Sequence, residues 1–258
     1  MTTLTLNEDD PLAVTLVQSI RSGDVESLKR LLAQHPGLAS VHIKNNRGGS
    51  RTPLKVVADW PGHFPNGAAV VATLIAAGGD PEARGEGKGR PETPLHWAAS
   101  SGDLEVLDAL LDGGANIEAD GASIAGGTAM DDAVGYGQFH AARRLVERGA
   151  RTKLWHASAL GLMNRVQEFF AGAVPPTASE VTMAFWQACH GGQSAAAQYL
   201  LARGANINWI PDWSPKTPLD IAQVSNPGRP AADDLVRWLC EHGAKSASAL
   251  GSSFASVA

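Results

Sequence analysis

Four side chains of this sequence have the types needed for acid–base chemistry: one carboxylate, one phenol and two imidazoles. They are Asp132, Tyr136, His156 and His190. Asp132 and Tyr136 are four positions apart, which places them one turn apart on the same face of a helix. Helices that pack as neighbours lie about 8–10 Å apart, so Asp132 and His156 can meet if their helices are adjacent. Such a pair suits general base catalysis, and an ion pair explains it equally well.

Tryptophans add aromatic surface to these polar groups. The chain has seven of them, and four are candidates for the walls of a groove. Aromatic walls with a few convergent polar groups are typical of a ligand site. The complete set of candidate ligand-binding or partner-binding residues is Trp60, His63, Trp97, Asp132, Tyr136, His156, Gln187, His190, Trp209 and Trp213.

Short motifs of nucleotide, metal and hydrolase sites are missing from the sequence. We find no G-x-x-x-x-G-K-[ST], H-E-x-x-H, C-x-x-C or G-x-S-x-G pattern. The glycine-rich run 85–90 resembles a phosphate-binding loop, but Pro91 follows it and no strand precedes it, so we interpret it as a flexible loop. The sequence therefore predicts no metal and no cofactor, and it favours a protein without enzymatic activity.

Short paired helices are the elements that would position the candidate residues. The run Thr93-Pro94-Leu95-His96 predicts the start of one helix, because threonine caps a helix and proline is tolerated at its first position. Residues 104–111 carry leucines at helical spacing, which predicts a second helix. Neither helix can bury its apolar face alone, so this unit is stable only when it is stacked on neighbours.

This unit resembles an ankyrin repeat, whose signature is a T-P-L-H-x-A core on a period of about 33 residues. Further copies open at Thr52-Pro53-Leu54-Lys55, at Thr128 and at Thr217, and weaker ones surround Trp155 and Trp186. The resemblance implies an all-α solenoid of about six to seven helix-turn-helix repeats with irregular hairpin loops. We predict a single domain over residues 11–244, between mobile tails at 1–10 and 245–258. Its parts are a capping unit at 11–40, repeats at 52–80, 93–115, 128–150, 152–173 and 182–205, and a capping repeat at 217–244.

The resemblance also implies a function. Ankyrin arrays generally present hairpin fingers and a concave groove to another protein, so a protein-interaction scaffold is the leading prediction. The alternative is a protein that binds a small apolar or aromatic molecule, or an unusual hydrolase or lyase, with a tryptophan-lined pocket centred on Asp132 and His156. In this family the T-P-L-H histidine bonds backbone between repeats, which we expect of His96. The next position lies on the exposed face that lines the groove, and here it holds Val56, Trp97, Asp132, His156, Gln187 and Ile221.

Two irregularities of the array bear on that pocket. Residues 59–67 are inserted where a tight turn is expected, and their two prolines exclude a helix. We expect the rings of this insertion, among them Trp60, to fold onto the neighbouring repeat. The segment from Thr128 to Thr152 is shorter than the other repeats, so most of one finger is missing and a notch is expected there.

Charge and composition limit the partners further. The net charge is −5 and the pI is near 5.9, whereas a basic face is the usual mark of a nucleic-acid-binding protein. No apolar run reaches about 18 residues, and no basic-then-apolar leader opens the chain. The two cysteines, Cys189 and Cys240, lie in different repeats, which favours a reducing compartment. We therefore expect a cytoplasmic, monomeric protein that binds neither nucleic acid nor membrane.

Overall fold

The computed structural model describes residues 4–85, 91–224, 226 and 228–251. Over these residues the protein is mainly helical, as the sequence predicts, with short strands near the N-terminus. The glycine-rich run that we interpret as a flexible loop lies outside the described residues, except for Gly85. The chain divides into two compact units, Met1–Ala150 and Arg151–Ala258, where the sequence predicts one domain. The division falls in the shortened segment between Thr128 and Thr152.

Unit 1 (Met1–Ala150) begins with a three-stranded sheet. Strand β1 (Thr5–Asn7) pairs in parallel with β2 (His42–Lys44), and β2 pairs antiparallel with β3 (Ser50–Arg51). The prediction of a mobile tail at 1–10 was therefore wrong for β1, because β2 offers backbone groups with which this segment pairs. The helices of unit 1 are α1 (Pro11–Ser22), α2 (Val25–Gln34), α3 (Pro53–Val57), α4 (Gly67–Ala76), α5 (Pro94–Ser101), α6 (Leu104–Asp112), α7 (Ala129–Gly135) and α8 (Phe139–Glu147).

Unit 2 (Arg151–Ala258) consists of helices in its described residues. Its longest helix, α11 (Ala178–His190), starts before the repeat predicted at 182–205, because Thr177 caps it through a reciprocal contact with Glu180. Residues 246–251 of the predicted C-terminal tail form turns, and Ala247 N–H donates to Asp220 Oδ2 at 2.8 Å. The helices of unit 2 are α9 (Leu154–Leu160), α10 (Met163–Ala171), α11 (Ala178–His190), α12 (Ser194–Leu201), α13 (Pro218–Ala222) and α14 (Asp233–Glu241).

The first helix of most repeats begins with the same polar contact. His96 Nδ1 accepts a hydrogen bond from the Thr93 N–H at 3.1 Å and lies 2.8 Å from the Thr93 hydroxyl oxygen. Asp131 accepts hydrogen bonds from the N–H and hydroxyl of Thr128 in the same way. A side-chain acceptor three residues after the cap thus satisfies donors that a helix start leaves unpaired. This contact is the physical basis of the T-P-L-H pattern.

Apolar faces of these helices form the interior of each unit. In unit 1, Leu95, Ala98 and Leu110 are fully buried, as the leucine spacing predicts. In unit 2, Phe185 and Leu200 are buried in one cluster with residues of α9 and α13. The candidate residues therefore sit on helices whose positions are fixed by this packing.

Candidate functional site

Three of the predicted groove residues meet in unit 1, where the insertion 59–67 lies beside α5 and α7. Trp60, Trp97 and Tyr136 line a cavity of about 410 Å³, which we name the aromatic cleft. Trp60 is 81% exposed and Tyr136 is 53% exposed, whereas Trp97 is half-buried. The other residues that line the aromatic cleft are Ala58, Asp59, Glu92, Ser100, Ser123 and Gln138.

The insertion presents Trp60 to solvent, so the expectation that its rings fold onto the neighbouring repeat was wrong for this residue. Polar contacts hold the insertion in place instead. The His63 N–H donates to Asp103 Oδ2 at 2.6 Å, and Asp59 pairs with Arg51 at 2.7 Å. The side chain of His63 is exposed and does not line the aromatic cleft. These contacts anchor the insertion and thereby hold the indole of Trp60 at the surface.

Asp132 lies fully buried behind the aromatic cleft. Its carboxylate accepts hydrogen bonds from the Ser123 hydroxyl at 2.8 Å and from the Ile124 N–H at 3.0 Å. The Ser123 oxygen lies 3.0 Å from the Tyr136 hydroxyl, so a chain of polar contacts leads from Asp132 to the cleft. Burial raises the pKa of Asp132 to about 6, although these hydrogen bonds oppose the shift. The arrangement anchors the loop before α7 and gives Asp132 a structural role.

Trp97 has both its polar edge and one ring face in contact with charged residues. Its Nε1–H donates to Glu92 Oε2 at 3.3 Å. The Lys55 ammonium nitrogen lies 4.4 Å from the centroid of the Trp97 ring, which is a cation–π contact. These contacts fix the indole as a wall of the aromatic cleft.

The position after the T-P-L-H histidine was expected on an exposed face, and most of its residues are buried instead. Trp97 is half-buried and reaches the surface in part. The first helices of successive repeats stack side by side within each unit, so this position faces a neighbouring helix. The buried residues at this position are Val56, Asp132, Gln187 and Ile221.

His156 occupies the capping position itself, one place before the position assigned to it from the sequence. Its Nδ1 accepts a hydrogen bond from the Lys153 N–H at 3.1 Å, and the ring is buried. The sequence interpretation gave the histidine place to Trp155, which was wrong because α9 begins after Lys153. His156 therefore has the role of His96. It belongs to unit 2 and Asp132 to unit 1, so their pairing and the notch between them stay predictions.

The remaining candidates lie in unit 2 in two groups. Buried His190 has its Nδ1 3.2 Å from Gln187 Oε1. Burial, helped by the charges of Arg229 and Lys216, lowers the pKa of His190 to about 4, so its imidazole is neutral and weakly basic at pH 7. Trp209 and Trp213 form an edge-to-face pair with ring centroids 5.4 Å apart. Trp213 is 55% exposed.

Other features bear on the predicted classes of site. Within the described ranges, no group of three His, Cys, Asp or Glu residues is placed to hold a metal ion. No helix in this part of the chain is both long enough and apolar enough to span a bilayer. Cys189 is buried and Cys240 is exposed, each as a free thiol.

Sequence reasoning missed Glu92 and Ser123, which line the aromatic cleft, and Lys55, which contacts Trp97. A signal existed for Lys55, because it stands in the histidine place of the run that opens at Thr52. Ser123 lies in a glycine-rich connector without periodicity, and its contact with Asp132 depends on how that loop folds back. Nothing in the spacing of the sequence marks such a contact.

Comparisons with known proteins agree with this geometry. A family model described as Ankyrin repeats (3 copies) matches residues 63–155. No curated protein matches the sequence. Among solved structures, the crystal structure of the human ASB11 ankyrin repeat domain is 18% identical to this chain. The alignment covers 86% of this chain and 96% of that chain, with a TM-score of 0.49. The family match coincides with the T-P-L-H core and the reciprocally capped helices α5 and α7, so residues 63–155 carry ankyrin repeats.

Proposed function

We propose that the protein is a protein-interaction scaffold that binds a partner protein through its concave groove and hairpin fingers, with the aromatic cleft as the main contact. The exposure of Trp60 and Tyr136 around half-buried Trp97 carries this proposal. Apolar surface is unfavourable in water, and a contiguous exposed patch of it marks an interaction site. Tryptophan and tyrosine are also the residues that most often dominate the binding energy of an interface.

The geometry favours a protein over a small molecule as the occupant. A small ligand that fills a cavity of about 410 Å³ would leave the outer face of Trp60 in water, because this side chain projects from the insertion. A protein surface can cover Trp60 and Tyr136 together. The polar rim, which includes Ser100 and Gln138, offers hydrogen bonds of the kind found around an apolar interface core.

The alternative of an enzyme receives less support from the same residues. Asp132, His156 and His190 are all buried. Each of them takes part in a hydrogen bond or close polar contact within its own unit. Catalysis requires groups that reach a substrate, and contacts of this kind suit a role in stability.

Site-specific photo-cross-linking tests the scaffold proposal. Benzoylphenylalanine is placed at position 60 or 136 of the full chain in the cells that produce it, and cross-linked products are identified by mass spectrometry. The matched control is position 174, because Val174 is also apolar and 86% exposed. We expect one protein to be cross-linked from positions 60 and 136 and not from 174, and Tyr136→Ala to weaken the product formed at position 60. Identical products from all three positions would contradict the proposal, as would none from position 60.

A further inference from the structure

Helix α3 differs from the first helices of other repeats at the position three residues after the helix cap. In α3 this position holds Lys55, and an ammonium group cannot accept a hydrogen bond. The buried hydroxyl oxygen of Thr52 accordingly has no hydrogen-bond partner within the described part of the chain. In α5, α7, α9 and α13 the same position supplies an acceptor, from His96, Asp131, His156 and Asp220 respectively.

Lys55 itself is buried, with 3% of its surface exposed. Among the described residues its ammonium has no hydrogen-bond acceptor and no ion-pair partner, and its contact is the ring of Trp97. Burial lowers the pKa of Lys55, against the opposing charges of Glu92 and Asp59. A buried charge without a partner is unfavourable, and so is the unsatisfied Thr52 hydroxyl. Two unfavourable features at one position indicate that Lys55 serves something other than stability.

The ammonium of Lys55 lines a cavity of about 650 Å³ between the β2–β3 hairpin and α5. Two acidic side chains, Glu8 and Glu92, also line it, and each accepts a hydrogen bond from a neutral N–H group of the chain. Arg51 already pairs with a carboxylate of the insertion 59–67. Arg47 lines the cavity as well, but it is exposed. Lys55 is therefore a buried cation of this cavity that forms no ion pair with a carboxylate of the described structure.

We propose that this cavity is a binding site for a carboxylate, whose oxygen atoms pair with Lys55 beside Trp97. A carboxylate carries a single negative charge, whereas a phosphate dianion would be repelled more strongly by Glu8 and Glu92. A free organic acid and the acidic side chain of a partner supply the same chemistry. The proposal does not depend on the scaffold function, because Lys55 does not line the aromatic cleft.

Nuclear magnetic resonance of the tryptophan indole N–H groups tests the site in the full chain. Trp97→Phe assigns the Trp97 signal, and sodium benzoate is titrated against its neutral analogue benzamide at constant ionic strength. We expect benzoate to shift the Trp97 signal saturably and benzamide to leave it in place. Lys55→Met should lower the affinity for benzoate at least tenfold. Lys44→Met, which removes an exposed lysine of β2, should leave that affinity unchanged.

Two further probes distinguish the sources of the carboxylate. A blocked peptide Ac-Ala-Glu-Ala-NH2 that binds more tightly than benzoate identifies an acidic side chain as the occupant, with the glutamine peptide as its control. Binding of benzoate without binding of the peptide identifies a free acid. Either result supports the proposal.

Several outcomes would overturn the carboxylate site. They are the lack of a saturable Trp97 shift with both benzoate and the peptide, an equal shift with benzamide, a preference for inorganic phosphate, and unchanged benzoate affinity in Lys55→Met. Lys55→His guards against a folding artefact, because it supplies the acceptor that Thr52 lacks while removing the lysine. Loss of benzoate binding in folded Lys55→His supports the proposal, and retained binding overturns it.

Discussion

Exchanging the residues at two equivalent capping positions tests how the first helices of these repeats are stabilised. In Lys55→His, the new imidazole can accept hydrogen bonds from the Thr52 N–H and hydroxyl, as His96 does for Thr93. An unsatisfied buried polar group costs about 1–3 kcal/mol. The cation–π contact with Trp97 is lost, which costs about 0.5–2 kcal/mol, but a buried unpaired charge is removed as well. We therefore expect Lys55→His to stabilise the protein by about 1–2 kcal/mol.

The reverse change, His96→Lys, should act in the opposite direction. It removes the acceptor for both donors of Thr93, and it places an ammonium in a buried position. Two unsatisfied donors at about 1–3 kcal/mol each, together with the desolvation of a charge, give an expected destabilisation of about 3 kcal/mol. Burial lowers the pKa of His96, so the wild-type imidazole is neutral and able to accept at pH 7.5.

Urea unfolding followed by circular dichroism at pH 7.5 measures both changes. Because the chain forms two compact units, amide hydrogen exchange at the start of α3 and α5 shows where stability is gained or lost. Both helices belong to unit 1, so each variant serves as the matched control of the other. The reasoning is refuted if Lys55→His destabilises the protein, or if the two substitutions change the free energy of unfolding in the same direction.

Two further predictions concern stability. Leu110→Ala should lower the free energy of unfolding by about 2–5 kcal/mol through cavity formation, because Leu110 is fully buried, and Leu111→Ala, at a half-buried position, should cost less. Equal urea midpoints for Leu110→Ala and wild type would contradict this. Because the pKa of Asp132 is raised to about 6, the folded state binds the proton of this carboxyl group more tightly than the unfolded chain does. The free energy of unfolding of wild type should therefore rise by about 1 kcal/mol relative to that of Asp132→Asn as the pH falls from 7 to 5. A difference between these two proteins that is constant over that pH range would show that Asp132 does not titrate there.

The repeat architecture was predictable because each repeat is defined by contacts between residues that are close in the sequence. Thr93, Pro94 and His96 define the start of a helix through contacts among residues within four positions of one another. The leucine spacing of residues 104–111 then defines the face that must be buried, and Leu110 is indeed buried. Such short-range relations are visible in a sequence without any knowledge of the three-dimensional structure.

The candidate site was less predictable because it depends on relations over longer distances. The insertion carrying Trp60 has no periodicity, and its orientation is set by contacts with residues such as Asp103, far away in the sequence. The register of His156 was missed because Lys153 replaces the threonine that marks other helix starts. The parallel pairing of β1 with β2 likewise joins segments that are far apart in the chain.

Trp97 connects the two proposals, because its indole lines both the aromatic cleft and the carboxylate cavity. A substitution of Trp97 would therefore disturb both sites and cannot distinguish them. Trp60 lines the aromatic cleft but not the carboxylate cavity, and Lys55 lines the carboxylate cavity but not the aromatic cleft. Substitutions at these two positions therefore separate the two functions. If the scaffold proposal is wrong, cross-linking from position 60 fails while benzoate still shifts the Trp97 signal. If the carboxylate proposal is wrong, the cross-link survives in Lys55→Met and no carboxylate shifts that signal in the wild type.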